Sequence, residues 1–213
     1  MYITGRRQRA LDAAVASIGS NVTAIQGDVA KLADLDRIYG QISNEKGRLD
    51  ILFANAGISG HVPLGAITEE HFDTIFNVNV KGVVFTVQKA LPLMRDGGSI
   101  ILNGSIASTK GFPAFSVYSA TKAAVRSLAR TWTTDLKDRG IRVNAISPGP
   151  IDTPLTRETF SNPDDMRALV STTTMGRLGH PEELARPVVF LASDDSSFVT
   201  GVELFVDGGS AQV

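Results

Sequence analysis

Short β-branched and aliphatic runs alternate along the chain with longer stretches of helical period, the pattern of a parallel sheet with helices on both faces. Six strands are predicted, at Tyr2–Thr4, Val22–Gln26, Leu49–Ala54, Ser99–Leu102, Arg142–Ser147 and Val202–Val206. Several are nearly all apolar, as strands covered on both faces should be. Helical periodicity places helices over about 7–19, 32–46, 68–91, 115–138, 164–171 and 181–192. Thr68 before Glu69 and Glu70, and Pro181 before Glu182 and Glu183, put a cap or a pre-set φ and negative charge at helix starts. Gly97–Gly98 and Gly140 are expected to mark helix exits. From Pro148 to His180 four prolines and many Ser and Thr break regular structure. This stretch reads as an excursion over one end of the sheet, where ligands of open α/β sheets bind, with 151–180 covering the substrate. No repeat, low-complexity linker or second core divides the 213 residues, so a single domain over 1–213 is expected.

Composition narrows the chemistry. Lys and Arg number 21 against 22 Asp and Glu, and Arg6-Arg7-Gln8-Arg9 is the densest basic patch, too short to track a nucleic-acid backbone. With no Cys and three scattered His, neither a thiol nucleophile nor a zinc centre is expected, and no metal is assigned. No apolar run reaches the roughly 18 residues of a membrane span, and Met1-Tyr2-Ile3-Thr4 has none of the features of a signal peptide. A soluble, cytoplasmic protein with no membrane or nucleic-acid partner is the expectation.

Tyr118-Ser119-Ala120-Thr121-Lys122 falls early in a predicted helix, so the phenol and the ammonium share a face. An adjacent cation favours phenolate, and Lys122 is therefore expected to lower the Tyr118 pKa toward working pH. A Tyr-x-x-x-Lys spacing also arises by chance, and Ser105, just past a strand, is by itself an ordinary turn residue. Asn55-Ala56-Gly57, Gly27-Asp28-Val29 and Ser147-Pro148-Gly149-Pro150 likewise follow strands and individually read as exit turns. Asn79 sits mid-helix, where Asn is a poor helix former unless its amide has a partner. Together these residues outline one crevice at one end of the sheet. His61, His71 and His180 are expected at the surface or in loops, His180 flanking a helix start. Trp132 is expected to be buried at a helix or subunit contact. Helices 68–91 and 115–138 carry apolar residues on more than one face, including Ile75, Phe76, Val83, Phe85, Val125 and Leu128, which suggests an exposed patch to be covered.

Taken in order, Gly27-Asp28-Val29, Asn55-Ala56-Gly57, Asn79, Ser105, Tyr118 with Lys122, Ser147-Pro148-Gly149 and Val206-Asp207-Gly208-Gly209 span essentially the whole chain. With these stations the sequence resembles the short-chain dehydrogenase/reductase family, loosely its glucose 1-dehydrogenase and 3-oxoacyl reductase members. The resemblance implies an α/β, Rossmann-like, doubly wound fold and NAD(P)-dependent interconversion of a small ketone or aldehyde and an alcohol by hydride transfer. It implies Tyr118 as the acid/base, Ser105 as the group orienting the substrate oxygen, and Lys122 on the nicotinamide ribose. Asn79 would hold a proton-relaying water. Asp28 and Val29 would contact the adenine, Asn55, Ala56 and Gly57 the adenosine side, and Pro148, Gly149, Ile151 and Thr153 the carboxamide side. Gly5 stands where NAD-preferring members have an acid, and Arg6 beside it can pair with a 2′-phosphate, so NADP(H) is expected over NAD(H). The resemblance also implies a homo-oligomer, a dimer through helices 68–91 and 115–138 or a tetramer using Val202–Val213 as well.

One departure stands out. The family's first strand, its Thr-Gly-x-x-x-Gly-x-Gly turn and its first helix have no counterpart in this sequence. The strand order implied by the resemblance makes the missing strand central, so Tyr2–Thr4 and Leu49–Ala54 are expected to lack their shared neighbour. Three readings stand at this level: an ordinary reductase whose start lies upstream, a reductase that binds cofactor weakly or in an altered way, and a non-enzymatic oligomerising or regulatory relative.

Overall fold

The computed structural model describes residues 1–211. Its strands are all parallel and fall into two sheets. β1 (Tyr2–Gly5) pairs with β2 (Thr23–Gln26). β3 (Leu49–Ala54), β4 (Met94–Asn103), β5 (Arg142–Pro148) and β6 (Glu203–Val206) form a four-stranded sheet in that order. Among the described residues no strand joins β1 to β3, as the departure from the family predicts. Ile51 and Phe53 of β3 accordingly stay 48% and 36% exposed, whereas Ile100, Ile101 and Leu102 of the inner strand β4 are completely buried.

The two faces of the larger sheet read out the period-2 alternation of its strands. Ile100 and Leu102 of β4 and Val143 and Ala145 of β5 point into one core with Val125 and Ala129 of α5 (Ser116–Asp135). Ile101 and Ile146 point the other way, onto Leu191 of α8 (Pro181–Ala192). The smaller sheet is tied to the larger one by helices. Leu35, Ile38, Tyr39 and Ile42 of α2 (Leu32–Lys46) share the first core with Val83, Val87 and Ala90 of α4 (Val83–Ala90). The Tyr39 hydroxyl donates to the Thr86 carbonyl at 2.7 Å, and Lys89 pairs with Asp36 at the rim. α1 (Gln8–Ile18) packs on β1 and β2.

Several sequence expectations are corrected. The predicted helix 68–91 is α3 (Glu69–Phe76), a π-helical turn over Asn77–Gly82, then α4. β4 starts at Met94, so Gly97–Gly98 lie inside a strand and not at a helix exit. They mark an irregularity where the pairing with β3 shifts between Leu49 and Ile51, and Gly97 takes φ +75°, a conformation that favours glycine. α6 (Pro154–Thr159) was not predicted, while α7 (Pro163–Ser171) falls where expected; both have proline in the first turn, and Thr153 and Asn162 cap them through their side-chain oxygens. Ile75, Val83 and Val125 are buried within the chain, and Phe85 and Leu128 pack on the first core, because these helices are covered by the sheet and by each other; of the six residues only Phe76 stays at the surface, half-buried and stacked on the exposed Phe72 at 4.3 Å.

Other expectations hold. Gly140, at φ +60°, ends the turn that follows α5, and His180 flanks the start of α8, its N–H donating to Glu183 Oε2 at 2.8 Å. Trp132, expected to be buried, is only half-buried, against the first core. The last two residues of the segment Val202–Val213 lie outside the described residues. Among the described residues no helix is long and apolar enough to cross a membrane.

Because α2 and α4 share one core, the two sheets should unfold together. Leu35→Ala, at a side chain only 2% exposed, is expected to lower stability by about 2–5 kcal/mol in a single urea transition. Two resolved transitions in the native chain would contradict the shared core.

Candidate active site

The carboxyl ends of β1 and β3 open on a crevice of about 210 Å³ lined by Gly5, Arg6, Asp28, Val29, Ala56 and Gly57, among others. Six of the residues singled out for a cofactor therefore come together. Asp28 starts the turn into α2, its Oδ1 accepting from Ala30 N–H at 3.0 Å. Its own N–H donates to Asp34 Oδ2 at 2.8 Å, and this bond, more than the nearby Arg37, holds the Asp34 carboxyl below its ordinary range. Arg6 is exposed, its carbonyl accepting from Gln26 Nε2 at 2.9 Å. Asn55 does not line the crevice. Its Oδ1 accepts from Asn103 Nδ2 at 2.9 Å, cross-linking the ends of β3 and β4, while Asn103 Oδ1 is buried without a partner.

Pro148, Gly149, Ile151 and Thr153 lie apart from this crevice. Ile151 is buried, bridges to Gly179, and lines a separate cavity of about 100 Å³ with Met175 and Asp207. Gly149 is required there, because a Cβ would sit 2.6 Å from the Asp207 Cα. Thr153 uses its hydroxyl to cap α6, accepting from Thr156 N–H at 3.2 Å.

The acid/base candidates meet where α5 passes the ends of β3 and β4. One turn apart on α5, Tyr118 and Lys122 share a face, with Lys122 Nζ 5.6 Å from the Tyr118 ring centroid. Lys122 is 4% exposed, and its Nζ donates to the Asn103 carbonyl at 2.8 Å. A Cβ on Gly57 would lie 3.5 Å from that ammonium and 3.4 Å from Asn79 Oδ1, so bare backbone brings the crevice up against Lys122. Asn79, in the π-helical turn and 1% exposed, holds the loop after β3 by both backbone groups of Ile58. Its Oδ1 accepts from Ile58 N–H at 2.9 Å, and its Nδ2 donates to the Ile58 carbonyl at 2.9 Å and to Thr121 Oγ1 at 3.1 Å.

Ser105 leaves β4 at its carboxyl end, its Oγ accepting from Ala107 N–H at 3.2 Å, which leaves the hydroxyl proton free to donate. The glycine before it is obligatory: a Cβ on Gly104 would be 2.5 Å from Ser147 Oγ. Behind this turn Ser108 and Ser147 both donate to Glu203 Oε1, at 2.6 and 2.7 Å, locking the exits of β4 and β5 together. Two contributors escaped the sequence reading. Thr121 could have been suspected from its place inside the Tyr-x-x-x-Lys run, but the Asn103 carbonyl is backbone and carries no residue-type signal.

The expected lowering of the Tyr118 pKa is overturned. Burial raises it, and an interaction with the Ser105 hydroxyl acts in the opposite direction. The same burial brings Lys122 down to about 8, so desolvation acts on both members and opposes the effect of charge on the phenol. His61 is exposed as expected but lies 5.2 Å, centroid to centroid, from Phe115. Among the described residues no group of three His, Cys, Asp or Glu could hold a metal.

A parallel sheet with helices on both faces and a crevice at its carboxyl end define an α/β protein of Rossmann-like, nucleotide-binding type. A family model described as enoyl-(acyl carrier protein) reductase matches residues 1–211. The chain is 50% identical over 215 residues to oxidoreductase asL5 of Sarocladium schorii, covering 100% of this chain and 86% of that protein. It is 40% identical over 187 residues to the 3-oxoacyl-[acyl-carrier-protein] reductase FabG of Thermotoga maritima, covering 85% of this chain and 75% of the other. The crystal structure of levodione reductase superposes with a TM-score of 0.95 at 28% identity, over 100% of this chain and 88% of that one. The chain belongs to the short-chain dehydrogenase/reductase family, whose chemistry is oxidoreduction with a nicotinamide cofactor.

The lowered Lys122 pKa fixes a sign. Between about pH 8 and its unfolded value of 10.5 the unfolded chain binds the extra proton, so stability rises with pH through that window and the penalty is fully present below it. Relative to Lys122→Met, the native chain should gain up to about 3 kcal/mol from pH 8 to pH 10.5, measured by denaturant titration at each pH. A pH-independent difference would contradict the depressed pKa.

Proposed function

We propose that the protein is an NADP(H)-preferring oxidoreductase that interconverts a small ketone or aldehyde and its alcohol. The observation that carries this reading is the buried Lys122 ammonium, set between Tyr118 and the bare backbone of Gly57 at the edge of the crevice. A nicotinamide dinucleotide fits that arrangement: the crevice offers Gly5, Asp28 and Ala56 along its length, and Gly57 leaves room beside the ammonium for ribose hydroxyls. When bound, such a cofactor supplies or accepts the hydride.

The remaining steps belong to the chain. In the reducing direction Tyr118 Oη gives its proton to the substrate oxygen, and the high pKa set by burial keeps the phenol protonated until it is needed. Ser105 turns its hydroxyl proton from the Tyr118 oxygen to the substrate oxygen and orients it. One Lys122 proton is taken by the Asn103 carbonyl, leaving two to hold the ribose and to replenish Tyr118. Asn79 keeps Ile58, and through it Gly57, against this group; the Oδ1 lone pair left over can hold a relaying water. Residues 151–180 cover the substrate. Arg6, exposed at the crevice with no acid beside it at Gly5, favours the 2′-phosphate of NADP(H). Exposed apolar side chains at Phe72, Val189, Phe190 and Phe198 support a homo-oligomer, a dimer or tetramer.

NADPH should bind the purified chain more tightly than NADH in calorimetric titrations. Arg6→Ala should weaken NADPH by about tenfold while leaving NADH unchanged, the loss of one charge-assisted hydrogen bond. Tighter NADH binding would overturn the preference, and no binding of either would favour the non-enzymatic reading. Tyr118→Phe, which keeps the ring and its packing, should lower NADPH-dependent carbonyl reduction by about 100-fold or more with cofactor affinity retained. Undiminished turnover would remove Tyr118 from its role.

A further inference from the structure

Three aromatic rings, from three separate segments, gather around Phe115, which itself meets Tyr118. Phe115, at the start of α5, meets Tyr118 edge-on with ring centroids 5.8 Å apart and planes at 73°. Phe160, at the end of α6, lies nearly parallel to Phe115, at 6.4 Å and 11°. His61, in the loop after β3, is tilted against Phe115 at 5.2 Å, and Phe112 meets it edge-on at 6.3 Å. None of these rings belongs to either buried core: the three phenylalanines are half-buried and His61 is exposed.

The backbone holds this group in place. Val62 N–H donates to the Ala114 carbonyl at 2.8 Å, tying the His61 loop to the residue before Phe115. Ala114 itself takes φ +62°, a conformation uncommon for a side-chain-bearing residue and concentrated at ligand-contacting positions. The His61 loop and the turn into Phe115 are thus joined through backbone.

We propose that the substrate carries its carbonyl, or the corresponding hydroxyl, on a planar aromatic ring system, and that Phe115 and Phe160 form the wall that selects it. This rests on the reading of Tyr118 as the group that meets the substrate oxygen. A flat aryl ketone can place its ring against the Phe115 and Phe160 wall, in offset-stacked or edge-to-face contact, while its oxygen reaches Tyr118 and Ser105. An open-chain ketone gains no such quadrupole contact. A polyol would leave its hydroxyls against phenylalanine rings without partners.

The test compares two ten-carbon probes, 1-tetralone and 2-decanone, binding to the full chain without cofactor, by calorimetry and by proton NMR of the histidine imidazoles. 1-Tetralone should bind about tenfold more tightly than 2-decanone and shift the His61 Hε1 resonance while leaving that of His180 in place. Phe115→Leu and Phe160→Leu should each erase most of that advantage. Because Phe160 sits at the end of a short surface helix, its variant serves if the change at Phe115 disturbs α5. Equal affinity for the two probes, or 1-tetralone binding indifferent to both substitutions, would overturn the proposal. NADPH is titrated separately: its failure to bind counts against the hydride-transfer reading, whereas the probe comparison decides the substrate class alone.

Discussion

The site depends on one ammonium kept out of water. Lys122 is enclosed between α5, the end of β4 and the loop after β3, and its hydrogen bond to the Asn103 carbonyl satisfies only one of its three protons. Burying a lysine in this way is unfavourable, and the fold offsets it by making each neighbouring segment hold another in place. Asn79 grips both backbone groups of Ile58, Thr121 ties that amide to α5, and Gly57 brings bare backbone up beside the ammonium. The two free protons and the lowered pKa follow directly from this enclosure.

The same constraint gives meaning to the π-helical turn. A regular helix from Glu69 to Ala90 would carry Asn79 at ordinary spacing, but the wider turn over Asn77–Gly82 sets it opposite Ile58. At its end Gly82 receives Val29, whose Cγ2 would lie 2.9 Å from a Cβ there. The turn therefore reaches both ways, toward the buried ammonium and toward the crevice end of the smaller sheet. Irregular turns inside helices often accompany function in this manner.

The smaller sheet reaches the site through helix contacts and not through strand pairing. With β1 and β3 unpaired to each other, α2 against α4 carries the connection, through aliphatic packing and the Tyr39 hydroxyl on Thr86. The crevice lies across this junction, with Gly5, Arg6, Asp28 and Val29 on one side and Ala56 and Gly57 on the other. Any ligand held there touches both sheets and adds to the contact between them.

Local pattern alone identified the strands, most helix starts, and the shared face of Tyr118 and Lys122, because periods of 2 and 3.6 residues and capping chemistry are properties of short segments. The irregular features were not legible in the same way. The bulged entry of β4, read as a helix exit from Gly97–Gly98, and the π-helical turn both answer to partners far along the chain, at Leu49 and at Ile58. The direction of the Tyr118 pKa was misread for a related reason: adjacency of a cation can be seen in sequence, but desolvation depends on everything that packs over the phenol. The residues available for chemistry were thus determined by the sequence itself. Which of them meet, how dry their surroundings are, and which aromatic rings stand beside the phenol were decided only by tertiary structure, since burial is a sum over contacts from distant segments.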